Sequence, residues 1–343
     1  MDIKKDSTTA NHHERSAGAS SEQYLCSQHT VVTACDHSFL WGALLLGLSM
    51  RYQGMICPYH VLAYDLSLED TCFLESIPGT KVFPTTRTDS RSICTQKPGA
   101  IATAETDIIV WMDADCIVSG NLERFFVCPD NTIQIRQRGK EENASVYRNY
   151  YSHGDSYGSI PRKVREQWQQ DVGDLQNSRI ERVYQTNCFV LNRSHLDFID
   201  IWQKQMEKVI PLHTTGVYNS HSIAYSMTDE SVINSLFAYS SAAPMTSEYL
   251  MDKDPDAACI HFGLNPKPWQ HWTLQAFKVY GYVQSLLQWA SEQNIALPQL
   301  PASFLNQNMQ KEYRRAKYSA MYKELRYQAS SGLRAGLRHL HLK

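Results

Sequence analysis

The residues best suited to chemistry lie in Ile108-Ile109-Val110-Trp111-Met112-Asp113-Ala114-Asp115-Cys116-Ile117-Val118, where two carboxylates one residue apart divide two apolar runs. A run of β-branched residues and Trp predicts a buried strand, with Asp113 and Asp115 at its end. Carboxylates this close repel each other, and burying them uncompensated is costly. A divalent cation removes both penalties. Oxygen ligands suit Mg²⁺ or Mn²⁺, and such an ion commonly also holds phosphates. A solvated acidic turn would carry the same residues with none of this chemistry, and an isolated Asp-x-Asp does not choose between the two. Two other stretches hold reactive types: His261-Phe262-Gly263 with Lys267-Pro268-Trp269, and Thr228-Asp229-Glu230 ahead of a helical segment. Taken alone, His261 reads as a strand histidine bonded to backbone and Lys267 as a loop lysine. Asp229 and Glu230 read as N-terminal charges favoured by the helix dipole.

Positioning these residues takes an alternation of strands and helices. His29–Asp36 reads as a short buried strand ending at Asp36, and Phe39 to Tyr52 as a helix with an apolar stripe. Strands are expected at His60–Tyr64 and Lys81–Phe83, and a helix from Lys97-Pro98 to about Glu105, with Pro in the tolerated first turn. The Asp113/Asp115 strand follows, then a short helix over Asn121–Phe126. Residues 136–182 are polar and irregular, as in lids and binding loops. Order resumes with a strand at Cys188–Leu191, helices at His195–Val209 and Ser231–Phe237, a strand and Gly/Pro loop over Ala258–Trp269, and a helix at Phe277–Ala290. This order predicts an α/β fold, a Rossmann-like, mostly parallel central sheet with flanking helices. Ligands on such sheets sit beyond the carboxyl ends of the strands, where Asp36, Asp113 and Asp115 all fall.

Composition narrows the functional classes. Hydrophobic content of 43% and charged content of 20% over 343 residues are globular values. A net charge of -2 gives no global attraction to nucleic acid. Nine cysteines with no C-x-x-C pair suggest reduced, cytoplasmic usage rather than a disulfide framework. Residues 1–28 are polar, lack the apolar core of a secretory signal, and are expected to be a disordered lead-in. The apolar run Phe39–Met50 is too short to span a bilayer. Residues 29–310 are then one catalytic domain and 311–343 a helical tail. That tail carries nine Lys/Arg against two Glu, so +7, leaving -9 for the rest of the chain. Tyrosines interleave its bases, a pattern that fits either a peripheral anionic membrane surface or packing on the domain with a solvated basic face.

Taken together, four stretches resemble one family. Asp113-Ala114-Asp115 after a buried strand is similar to the DxD motif of nucleotide-sugar glycosyltransferases with the GT-A fold. His261-Phe262-Gly263 with Lys267-Pro268-Trp269 resembles the closing H-x-x-G-x-x-K-P-W motif of glycosyltransferase family 8, the family of bacterial lipooligosaccharide galactosyltransferases and glycogenin; here the Gly falls one position early. Thr228–Asn234 resembles its D-Q-D-x-x-N stretch, with Glu230 where Gln is usual. Thr186–Asn192 resembles its N-x-G-x-x-L-x-N stretch without the Gly. The resemblance implies a GT-A fold and a retaining, Mn²⁺- or Mg²⁺-dependent transfer of a hexose from UDP-galactose or UDP-glucose. The acceptor would be a glycan, lipid-linked glycan or protein. Asp113, Asp115 and His261 would hold the metal, and Lys267 would meet the diphosphate. Ala34, Cys35 and Asp36 would line the base and ribose pocket, with Lys97, Ala114 and Gly263 completing the donor set. Asp229 would bind sugar hydroxyls, Glu230 would lie beside the anomeric carbon, and Asn187 would contact donor or acceptor. Two other classes compete: a sugar-phosphate nucleotidyltransferase, which lacks its Gly-rich basic loop here, and a degenerate sugar-nucleotide-binding module.

Overall fold

A computed structural model of the chain describes residues 28–87, 90–215 and 222–341, with side chains described as far as Gln328. The expected lead-in lies outside these residues, except for Gln28. In chain order the strands are β1 (His29–Asp36), β2 (Tyr59–Tyr64), β3 (Thr80–Thr85), β4 (Ile108–Met112), β5 (Cys116–Val118), β6 (Thr132–Gln137), β7 (Tyr184–Asn192), β8 (Met245–Ser247) and β9 (Cys259–His261). The α-helices are α1 (Leu40–Tyr52), α2 (Leu68–Glu75), α3 (Lys97–Ile101), α4 (Lys140–Val146), α5 (Arg162–Val172), α6 (Leu196–Val209), α7 (Thr228–Tyr239), α8 (Tyr280–Glu292) and α9 (Met309–His341).

Seven strands form one sheet in the order β3-β2-β1-β4-β7-β6-β8. The first four pair in parallel, β7 runs antiparallel to both β4 and β6, and β8 is parallel to β6. The expected mostly parallel α/β sheet is therefore present. Its central strands β1, β2 and β4 are buried almost throughout because both faces are covered. Along β1, Val32 and Ala34 pack into one core with β7, α6 and α7, while Val31 and Cys35 pack into a second core against α1. Helix α1 is buried nearly all round, because β5 and α8 cover the side that the sheet leaves free. Its Leu44, Leu45, Leu46 and Leu48 are fully buried, each worth ~1.5–3 kcal/mol relative to exposure.

Several elements differ from the sequence reading. The helix expected from Lys97 to Glu105 stops at Ile101, where the Thr103 hydroxyl bonds back to the Ala100 carbonyl (2.7 Å) and the chain turns toward β4. The short helix expected at Asn121–Phe126 is one 3₁₀ turn, Glu123–Phe125. Residues 136–182 are not irregular throughout: they contain the end of β6 and all of α4 and α5. Helix α5 buries only Val164 and Trp168 on an otherwise polar surface, too sparse a stripe to read as a period. The expected strand at Cys188–Leu191 is twice that length as β7. Among the described residues, no helix is long and apolar enough to cross a membrane.

The two apolar runs flanking Asp113 and Asp115 are separate strands in separate sheets. After β4 the chain turns, closed by the Cys116 amide donating to the Asp113 carbonyl (2.9 Å). It then enters β5, which pairs antiparallel with β9 so that Cys116 lies opposite His261. Helix α1 supports this turn from below. A Cβ added at Gly42 would lie 2.3 Å from the Ala114 carbonyl oxygen and 2.6 Å from the Trp269 ring. Only glycine lets the helix backbone approach the acidic turn so closely. Gly42→Ala is expected to destabilise the fold by ~1–3 kcal/mol through overpacking and to displace the turn. Denaturant unfolding and Mn²⁺ titration check this together, and an unchanged Mn²⁺ affinity would show that the turn holds its shape without the glycine.

Candidate metal centre

The carboxyl end of β4 meets the end of β9 through β5. The Asp113 amide donates to the Asn187 carbonyl on β7 (2.8 Å), and the Phe262 amide donates to the Asp115 carbonyl (2.8 Å). These bonds fix the backbone on both sides of the carboxylate pair. His261 Nε2 lies 3.2 Å from Asp115 Oδ1 and 3.9 Å from Asp113 Oδ2. Ligand atoms of all three residues fall within 4.8 Å of one another, close to the ~4.2 Å that two ligands of one small cation span at ~2.1 Å each. Two carboxylates and an imidazole form an oxygen/nitrogen donor set that fits Mn²⁺ or Mg²⁺. Gly263 keeps the outgoing loop against the imidazole: a Cβ there would stand 3.0 Å from the ring.

Two buried lysines compensate the acidic pair. Lys267 Nζ lies 2.6 Å from Asp115 Oδ2 and donates to the Phe262 carbonyl (2.7 Å). Lys97 Nζ lies 2.9 Å from Asp113 Oδ1 and 2.8 Å from Asp229 Oδ2, and also donates to the carbonyl and hydroxyl of Thr186 (both 3.1 Å). Although it begins a helix, where a lysine is ordinarily solvated, Lys97 is buried at 4% exposure. The polar network continues beyond it. Glu230 accepts from Arg138 Nη2 (2.8 Å) through one oxygen and from the Thr186 amide (3.3 Å) through the other. Trp111 Nε1 donates to Asp113 Oδ1 (2.9 Å).

These neighbours set the titration of the site. Burial pushes the Asp115 carboxyl up, but hydrogen bonds and charge from His261 and Lys267 outweigh it and hold the group at about 2. Burial raises Asp113 despite Lys97, and the adjacent Asp115 charge adds to the shift. Burial opposes a charge on His261, but its contact with Asp115 prevails and raises its pKa above 6.5. Lys97 is likewise pushed up: burial works against its charge, and Asp113 and Asp229 overcome that.

Of the remaining sequence candidates, Asp229 and Glu230 begin α7 and are buried within this network. The residue before them, Thr228, has φ of +37°, a left-handed conformation that is an outlier for a β-branched residue. Asn187 is half-buried on β7, and its carbonyl accepts from Asp113 and from the Cys116 thiol. Ala34, Cys35 and Asp36 lie at the carboxyl end of β1. Cys35 is fully buried in the core facing α1, and Asp36 is paired with Arg87 Nη2 at 2.8 Å. Ala114 lies between the two carboxylates, buried above Gly42. The sequence reading missed Thr186, Arg138, Arg87 and Gly42. Thr186 carried a signal as the neighbour of Asn187, whereas the other three enter only through the fold.

No family profile and no curated protein matches this chain. Among solved structures it is similar to the glycosyltransferase GlyE of Streptococcus pneumoniae TIGR4, with 12% identity, 79% of this chain covered and a TM-score of 0.47. It spans 64% of that protein, less than two thirds of its length. It is also similar to the galactosyltransferase LgtC in complex with donor and acceptor sugar analogs, with 14% identity, 79% of this chain and 98% of that one covered, and a TM-score of 0.46. A match at this identity transfers no activity.

A metal-bound imidazole must be neutral, whereas the protonated ring is the form that pairs with Asp115. Mn²⁺ affinity is therefore expected to be full above the raised pKa of His261 and to fall about tenfold per pH unit below it, where each ion bound displaces one proton from the ring. Calorimetry in buffers of different ionisation enthalpy measures that proton. An affinity constant from ~pH 6 to ~pH 9 would remove His261 from the ligand set.

Proposed function

We propose that this chain is a metal-dependent, retaining glycosyltransferase of the GT-A type, moving a hexose from UDP-galactose or UDP-glucose to a glycan, glycolipid or protein acceptor. The observation that carries this reading is the Asp113/Asp115/His261 cluster at the carboxyl end of β4, with Lys267 directly against it. A nucleotide sugar leaves as a diphosphate, so negative charge grows on the leaving group as the bond to the anomeric carbon breaks. Asp113, Asp115 and His261 would hold a Mn²⁺ or Mg²⁺ ion that stabilises that charge as a Lewis acid. Lys267, free to leave Asp115 once the carboxylate has a metal to bind, would meet the diphosphate as a compact point charge. Ala34 and Asp36 at the end of β1, with Ala114 and Gly263, would frame the nucleoside, whereas the Cys35 side chain, buried in the core against α1, would not reach it.

On the other side of the acidic pair, Asp229 accepts sugar hydroxyls while Lys97 keeps it ionised and in place. Both oxygens of Glu230 already accept hydrogen bonds, one from a guanidinium. A carboxylate so engaged is a poor nucleophile, which favours front-face transfer with the leaving phosphate as base. Glu230 then acts as an electrostatic stabiliser of the oxocarbenium-like state, and Asn187 contacts donor or acceptor.

The tail supports work at an anionic membrane surface. Tyr318, Met321, Tyr322 and Leu325 stand exposed on α9 among its bases, and each base near an anionic leaflet is worth about 1 kcal/mol. Attachment of this kind is peripheral and salt-sensitive, and would bring the site to a lipid-linked acceptor on the cytoplasmic face. Liposome co-sedimentation at low and high salt is expected to show release from anionic vesicles of a chain cut after Lys317, which lacks the exposed Tyr318 and Tyr322 but keeps the buried Glu312 and Ala316. Equal binding of cut and full-length protein would leave the exposed aromatics without that role.

A screen of UDP-sugars for Mn²⁺-dependent turnover tests the main reading. Asp113→Asn or Asp115→Asn is expected to abolish turnover in a folded protein. Glu230→Gln should keep a measurable fraction, with an α-configured product from an α-configured donor. Full turnover by the Asp113→Asn/Asp115→Asn double variant would overturn the metal assignment, and an inverted product by NMR would overturn retention.

A further inference from the structure

The tail helix does more than extend from the domain. Its first turns are built into the wall that carries His261 and Lys267. Glu312 is buried at 5% exposure, and Ala316, one turn on, at 2%. Glu312 Oε2 accepts from the Trp272 amide (3.3 Å), and its Oε1 lies 3.3 Å from His271 Nδ1. Arg315 Nη1 approaches the same ring nitrogen at 3.0 Å. Protonated at Nδ1 the ring donates to Glu312, and unprotonated there it accepts from Arg315, so each state of Nδ1 has a partner on α9. Tyr313 packs against Phe277 with ring centroids 5.2 Å apart.

His271 and Trp272 close the turn that Lys267 opens. The amides of Gln270 and His271 both donate to the Lys267 carbonyl (2.9 Å each), and the Lys267 amide donates to the Gln270 side chain (3.2 Å). A continuous path therefore runs from Glu312 through His271 and Trp272 to the Lys267 backbone, and from there through Nζ to Asp115. A second tie, Lys323 Nζ to the Asn265 carbonyl (3.3 Å), holds the loop ahead of Lys267. Between the two ties lies a cavity of about 300 Å³ lined by Leu264, Pro266, Leu274, Arg315 and Ala320 among others. Trp269 and Trp272 pack the turn into the domain, and the two ties fasten its outer side to α9.

We infer that Glu312 is a positioning residue for Lys267, and that the start of α9 belongs to the donor site as well as to the tail. This inference rests on the proposed function for its meaning, but its first test needs no nucleotide. Amine acetylation of the full-length protein, followed residue by residue by mass spectrometry, reads how well each lysine is held. Glu312→Ala is expected to speed acetylation of Lys267 about tenfold while Lys97, buried in the same protein away from α9, stays protected. Glu312→Gln, which still accepts from the Trp272 amide, should restore most of the protection. Equal acceleration at Lys97 and Lys267, or none at Lys267, would overturn the inference.

A double-variant cycle on Mn²⁺-dependent UDP binding supplies the second test. Glu312→Ala should weaken UDP binding about tenfold in the natural chain and have no further effect beside Lys267→Ala. A full tenfold loss in the Lys267→Ala background would also refute a role through Lys267. If the natural chain binds no UDP with Mn²⁺, the proposed function fails, and the acetylation result still decides the positioning role.

Discussion

The structure depends on keeping four carboxylates together inside a protein. Asp113, Asp115, Asp229 and Glu230 converge where β4, β7, β9 and α7 meet, and three cations, Lys97, Lys267 and Arg138, are interleaved among them. One negative charge remains, and the imidazole of His261 lies against it, its pKa raised by the contact with Asp115. Removing one partner of such a buried pair typically costs ~3–5 kcal/mol, because the remaining charge is left without compensation. In the proposed reading, a divalent ion entering between Asp113, Asp115 and His261 would take up part of this charge and free Lys267.

This balance explains the placement of the surrounding elements. Lys97 sits on a five-residue helix because it has to pass under the acidic turn and reach α7 on the far side. Thr186 serves both ends of the network, its hydroxyl and carbonyl meeting Lys97 and its amide meeting Glu230. Gly42 and Gly263 leave out side chains where the backbone of α1 and the ring of His261 need the space. The strained Thr228 turns the chain so that two consecutive acidic residues enter α7 pointing inward, a cost that the ion pairs and the buried face of α7 offset.

The chemistry-bearing residues and their order were legible in the sequence. So were the alternation of strands and helices and the mostly parallel sheet, because burial on both faces writes itself as continuous apolar strands. The Asp113/Asp115 pair stood out for the same physical reason, as charge set inside apolar runs. The sequence did not reveal that these runs belong to different sheets, since local composition does not record which strand a segment pairs with. Only the β5–β9 pairing brings His261 beside Asp115, across 145 intervening residues. The burial of Lys97 left no local signal, because its partners Asp113 and Asp229 belong to elements far from it in sequence. Arg138 and Gly42 gave no local signal, one being a polar residue in a polar stretch and the other a glycine in an apolar helix. The tail read as a separate basic appendage because charge and aromatic content are properties of the segment, whereas the burial of Glu312 depends on the turn it meets. Sequence by itself determined which groups are present and which are apolar enough to be buried. Tertiary structure decided which charges share a low-dielectric space, and that sharing turns scattered acids and bases into one site.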